Sequence, residues 1–154
     1  MKARRAARRL AVDVLYESEI RDRLPLEAFE ERKQQGWVVP TNSDDDSEPQ
    51  PPETEPSVEA LDYARSLVQG VQDHHADIDF LIAKYADRWA IERMPVVDRT
   101  LLRMAMFELL WGEDTPVAVA INEAVELAKA LSTEDSGRFI NGLLGRVVEK
   151  ELAG

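Results

Sequence analysis

The sequence predicts an all-α fold, a bundle of about seven helices, and three observations carry that reading. Apolar residues recur at spacings of three and four along most of the 154 residues. No segment alternates apolar and polar residues with β-branched enrichment, as a half-buried strand would. Proline and glycine sit where the helical stripes begin and end, at Pro25, Gly36, Pro95, Gly112 and Pro116.

The first helix is expected over Ala3 to Arg21, with Ala7, Leu10, Ala11, Val14 and Leu15 on one stripe. A short second helix, Leu26 to Gln35, follows Pro25 and stops at Gly36, with Ala28 and Phe29 inward and only a weak hold on the core. Ser57 is placed to cap a third, Val58 to His74, through Leu61, Ala64, Leu67, Val68 and Val71. The fourth runs from Asp77 to Trp89, through Ile78, Leu81, Ile82 and Tyr85. After Pro95, "VVDRTLLRMAMFELLW" is apolar nearly all round except at Asp98, Arg99, Arg103 and Glu108, which marks the central buried helix. Pro116 opens a sixth helix that buries Val117, Ala120, Ile121, Ala124, Leu127, Ala128 and Leu131. Ser132 or Thr133 caps the last, whose core stripe is Ile140, Leu143, Leu144 and Val147. Met104, Met106, Trp89 and Trp111 read as core or interface packing.

Charge is uneven. Nineteen Lys and Arg stand against 30 Asp and Glu, a net charge of −11, which excludes generic polyanion binding and requires any nucleic-acid site to be a local basic patch. Such a patch exists at Lys2, Arg4, Arg5, Arg8 and Arg9, where residues 1–9 hold no acid. Residues 34–64 have no base, and their prolines and polar residues predict a disordered acidic linker over 38–56, either a solvated loop or a shield for the basic helix. Without cysteine there is no disulfide, zinc-thiolate site or cysteine nucleophile. The N-terminus lacks a signal-peptide core and no apolar run spans a membrane, so the expected location is cytoplasmic, with no membrane partner.

The residues argue against an enzyme. There is no glycine-rich phosphate loop and no serine-nucleophile motif, and no carboxylate pair has a reason to be buried together. His74 and His75 are neighbours about 100° apart on a helix and make a poor metal pair, while Asp44 to Asp46 lacks calcium-loop spacing, so no metal and no cofactor is expected. What remains is a surface. Arg5, Arg8, Arg9 and Tyr16 fall on one face of the first helix, which suits single-stranded RNA: guanidinium forks for phosphates and a ring for an unstacked base. A basic solvated terminus is the alternative. In the last helix, Arg138, Asn141, Gly142 and Gly145 share the face opposite the core stripe, with Phe139 at its edge. Two interior glycines suggest close approach by another helix, a partner or a nucleotide backbone. The N–H groups of Ser136 and Gly137 are candidates to receive phosphate, opposed by Asp135.

Three stretches, "RRAARRLAVDVLYESE", "MPVVDRTLLRMAMFELLW" and "VAINEAVELAKALSTEDSGRFINGLLGRV", resemble the NusB family of bacterial transcription antitermination factors, and the resemblance runs from Arg4 to Val148. It implies an all-α fold of two three-helix sub-bundles, here 3–74 and 75–150 within a single domain spanning 1–154. It implies a non-catalytic adaptor that pairs with NusE, a small-subunit ribosomal protein. The pair would bind single-stranded boxA RNA of rRNA transcripts, join the RNA polymerase antitermination complex and support rRNA maturation. The RNA surface it implies draws on Arg4, Arg5, Arg8 and Tyr16, with Arg9 beside them, and on Arg138, Phe139 and Asn141. The partner surface lies around Asp98 and Glu108. Ala6 and Ala7 dilute the family's arginine run, and the acidic linker has no counterpart in the family pattern. The rival reading is a homodimeric interaction module whose arginine-rich helix is a protein interface.

Overall fold

A computed structural model of the chain describes residues 2–37, 56–86, 89–112 and 114–152. The expected acidic linker, up to residue 55, lies outside them. Seven α-helices follow one another: α1 Lys2–Arg21, α2 Pro25–Gln35, α3 Val58–Asp73, α4 His75–Tyr85, α5 Val96–Trp111, α6 Val117–Leu131 and α7 Glu134–Val147. A 3₁₀ turn at Ile91–Arg93 precedes α5 and a π-helical turn at Val148–Leu152 follows α7. No strand occurs among the described residues.

The boundaries follow local chemistry. Ser57 accepts the Ala60 N–H at 3.1 Å and starts α3, and Thr133 accepts the Ser136 N–H at 2.9 Å and starts α7. Gly36 ends α2 at a φ of 87°, a conformation in which a Cβ would be strained. Pro95 and Pro116 each stand just before a helix, where a missing N–H costs nothing.

Helices α1, α2 and α3 pack on one another, α6 pairs with α7, and α5 touches α1 and α3 as well as α4, α6 and α7. That position explains the composition of α5, because a helix with neighbours on most sides buries Leu101, Leu102, Met104, Ala105 and Met106 together. Leu10, Leu67, Ile78, Ile82, Ile140, Leu143 and Leu144 complete the same core.

Four expectations are corrected. Helix α2 is firmly held: Phe29 is buried and meets the buried Trp37 edge to face at 5.2 Å, while Leu26 N–H donates to Gln72 Oε1 at 2.9 Å. Helix α4 starts at His75, straight after α3, and ends at Tyr85, so Trp89 lies outside it and is 37% exposed. On α6 only Ala120, Ala124 and Ala128 are fully buried; Ile121, Leu127 and Leu131 are half-buried and Val117 is exposed, because α6 is covered mainly by α5 and α7. Of the three approaches that Gly142 and Gly145 left open, the one by another helix is not found: both are exposed, and among the described residues an added Cβ would meet no neighbouring helix. The close approach that the sequence does not signal is at Gly70 of α3, where a Cβ would lie 2.2 Å from the Phe107 ring.

A charged clamp joins the far end of α1 to α4 and α5. Glu19 meets Arg99 at 2.7 Å and Arg103 at 3.1 Å, and Arg103 also forks onto Asp79 at 2.9 and 3.0 Å. Burial opposes ionisation of Glu19, but Arg103 and Arg99 outweigh it and hold the carboxyl below its ordinary value of 4.5.

Two predictions come from this packing. Gly70→Ala should push Phe107 out of its stacked position between α3 and α5 and destabilise the fold by about 1–3 kcal/mol, read from urea unfolding. Because the folded Glu19 is the stronger acid, its stabilisation is present above 4.5 and is lost as pH falls through the folded value. Glu19→Gln should therefore unfold more easily at neutral pH, with its stability curve converging on wild type in acid.

Candidate nucleic-acid interface

Helix α1 turns its basic residues in two directions. Arg8 points inward and is 3% exposed, and its Nε and terminal nitrogen fork onto Glu108 at 2.8 and 2.9 Å. Glu108 Oε2 also accepts from the Tyr63 hydroxyl at 2.6 Å and from Thr115 Oγ1 at 3.2 Å. Burial works against the Arg8 charge, yet the bonded Glu108 carboxylate raises its pKa, so the guanidinium stays charged. Burial and the bond to Glu108 push the Tyr63 phenol up as well, and it remains a donor.

This overturns two expectations. Arg8 is not part of the exposed basic face. It stands on the wide buried arc of α1 because Val12 and Leu15, four and seven residues on, are both buried beside it; that spacing was the available signal. Glu108 and Asp98 do not form a partner surface either, since both are buried. Asp98 accepts from Ser136 Oγ at 2.8 Å and ties α5 to the start of α7. Their partners lie 100 and 38 residues away, so no local pattern reveals them.

The outward face keeps Arg5, Arg9 and Tyr16, which fall within about 40° of one another at 100° per residue. Arg5 has a side chain 70% exposed and touches Glu123 at 3.1 Å. Arg9 lies 3.6 Å from Asp13, whose carboxyl is pushed up by burial against the pull of Arg9. Tyr16 is exposed. Arg4 lies at the margin, its guanidinium 4.6 Å above the Tyr63 ring and 3.7 Å from Asp114.

Helix α7 contributes a second exposed edge. Arg138 is exposed and paired with Asp135, and Asn141 is exposed. Phe139 is half-buried, packed against the core and met edge to face by Trp89 at 4.7 Å. The N–H groups of Ser136 and Gly137 are both taken by Thr133, so they do not form an anion site. His74 stacks on Trp111 at 4.1 Å and His75 faces Asp79 at 3.4 Å, so the two imidazoles serve separate contacts. Tyr63, Thr115 and Glu123 escaped the sequence reading, and Trp89 reads there only as core or interface packing, since their roles depend on which helices meet.

The fold is thus an all-α bundle with a buried arginine–glutamate pair, and it exposes arginine side chains on α1 and α7 and the Tyr16 ring on α1. The chain belongs to the NusB family, whose model matches residues 5–149. It is 46% identical to the transcription antitermination protein NusB of Salinispora arenicola over 149 residues, covering 97% of each chain. It is 42% identical to the Thermobifida fusca protein of that name, covering 97% of this chain and 91% of that one. Among solved structures, T. maritima NusB is 33% identical with a TM-score of 0.76, covering 96% of this chain and 91% of that one. A crystal structure of the antitermination factors NusB and NusE in complex with dsRNA contains a chain 27% identical, with a TM-score of 0.74 and coverage of 97% and 98%.

Removing Glu108 should reveal what the pair holds. Glu108→Ala leaves a buried guanidinium unpaired and should cost about 3–5 kcal/mol in urea unfolding, whereas the double variant Arg8→Met/Glu108→Leu should recover most of that loss.

Proposed function

We propose that this protein is a non-catalytic RNA-binding adaptor in transcription antitermination, binding boxA RNA of rRNA transcripts together with a NusE-like ribosomal protein. The observation that carries this reading is the exposed face of α1, where Arg5, Arg9 and Tyr16 stand together on a chain whose net charge is −11. A localised cationic and aromatic face on an acidic protein fits a selected single-stranded target and not a generic polyanion. A solved structure described as NusB and NusE in complex with dsRNA supports NusE and RNA as the partners.

The RNA surface on this reading comprises Arg5, Arg9 and Tyr16 with Arg4 at its margin, continued by Arg138, Phe139 and Asn141. Arg8 is a positioning residue, because its charge is spent on Glu108. The repulsive net charge of −11 favours a binding unit completed by a partner whose own basic surface would offset that field. Among the described residues no helix is long and apolar enough to cross a membrane. We read the chain as one domain of two helical groups, 3–74 and 75–150, because α5 packs against both.

The test is a fluorescence-anisotropy titration of labelled boxA-like RNA with and without NusE. Tight binding that requires or is strongly enhanced by NusE supports the adaptor; no binding in either case by folded protein overturns it. Arg5→Ala and Arg138→Ala should each flatten the slope of log affinity against log salt by about 0.7, the value for one phosphate contact on a single strand, with melting temperatures unchanged. An unaltered slope would remove that arginine from the phosphate contacts.

A further inference from the structure

We propose, resting on the RNA-binding reading, that the Trp89 indole is a stacking platform for an unpaired base, held beside α7 by its contact with Phe139. The chain has three tryptophans, and their surroundings differ. Trp37 is buried against Phe29, and Trp111 is half-buried in a stack with His74. Trp89 is 37% exposed and stands in the irregular stretch between α4 and the 3₁₀ turn, its N–H donating to Ala86 O at 3.3 Å. Its ring is nonetheless fixed, with centroid 4.7 Å from that of Phe139 and the planes at 66°. An edge-to-face contact occupies at most one face of the indole, and with the residue 37% exposed part of the side chain stays open to a flat partner.

The surroundings select a nucleic-acid base over an apolar protein segment. On α7 the exposed neighbours of Phe139 in sequence are Arg138, Asn141 and Gly142, followed by Gly145 and Arg146, and none is a large apolar residue. Arg146 donates to Tyr85 O at 2.7 Å, which brings another cation to the end of α4. Among the described residues a Cβ at Gly145 would meet nothing within 4 Å, and one at Gly142 would meet only an Arg146 nitrogen at 3.8 Å. Packing among the described residues therefore does not account for these glycines. They leave the helix surface flat beside the aromatic pair, so a sugar–phosphate backbone can pass close to α7 while its base reaches Trp89. Guanidinium, amide and indole groups around a flat path match the phosphate, base-edge and base-face contacts of a single strand.

The same division changes the role of Phe139. With its ring half-buried and engaged by Trp89, Phe139 orients the indole, and Trp89 makes the contact with the base. Trp89 makes no phosphate contact on this reading, so its loss should weaken binding without altering the number of ions released.

The test uses the full chain with NusE and a labelled single-stranded boxA RNA, comparing wild type with Trp89→Leu and Trp89→Phe. Trp89→Leu, which keeps an apolar contact with Phe139 but cannot stack, should bind about ten-fold or more weakly with the same salt slope and the same melting temperature. Trp89→Phe should stay within about three-fold of wild type, and the RNA-induced quenching of tryptophan emission should disappear in it. Wild-type affinity in Trp89→Leu overturns the platform and leaves the RNA reading standing. Quenching that persists in Trp89→Phe also overturns it, because the quenched indole is then Trp37 or Trp111. Failure of the wild-type complex to bind RNA removes the RNA reading, and the platform with it.

Discussion

The bidentate pair between Arg8 and Glu108 fixes how the rest of the bundle is assembled. Taking both charges out of water costs several kcal/mol for each ion, so the arrangement is tolerable only where geometry is good and the remaining polar atoms are satisfied. Here the guanidinium fork lies flat against the carboxylate, and Tyr63 from α3 and Thr115 from the α5–α6 connection both donate to Glu108 Oε2. Three helices and one turn thus converge on a single carboxylate. Apolar packing is less directional than a hydrogen-bonded ion pair, and the buried fork adds a contact that fits only one rotation about the helix axis. Once Arg8 is turned inward, Arg5, Arg9 and Tyr16 follow about 60–100° further round the helix, past the edge of its buried arc and toward solvent.

The second clamp works at the other end of α1 and on different terms. Glu19, Arg99, Arg103 and Asp79 are partly exposed, so each contact is weaker than a buried pair and more sensitive to salt. Together the two clamps hold α1 against α5 near both ends. Between them the apolar stripe of α1 packs on α3. A helix pinned in this way presents its outer face as a rigid surface, and a rigid surface loses little conformational entropy when a ligand settles on it.

Each arginine on the proposed interface has its own carboxylate: Arg4 with Asp114, Arg5 with Glu123, Arg9 with Asp13, and Arg138 with Asp135. Exposed pairs of this kind contribute about 0–1 kcal/mol, so a phosphate can take the place of the carboxylate at low cost. The displaced acids remain nearby, and their repulsion limits affinity for RNA alone. An acidic protein with carboxylate-screened arginines therefore suits a role in which a partner and a defined RNA arrive together. Generic attraction to polyanions is suppressed by the same charges.

Helix identity and order were legible in the residues because apolar spacing, the Ser57 and Thr133 caps and the proline and glycine positions act within a few residues of one another. The family was legible too, in three long motifs whose side chains recur as blocks. Which charged residues face water was not, since burial of a charge is decided by a partner far along the chain. Arg8 and Glu108 are 100 residues apart, and Asp98 and Ser136 are 38 apart. The end of α4 was misjudged for a similar reason: a continued 3–4 spacing reaches Trp89, but the indole leaves the helix to meet Phe139 on α7. Local periodicity determined the helices and their stripes; only the packing of one helix on another decided which arginines are buried in ion pairs and which remain exposed, because desolvation and pairing are settled between elements and not within them.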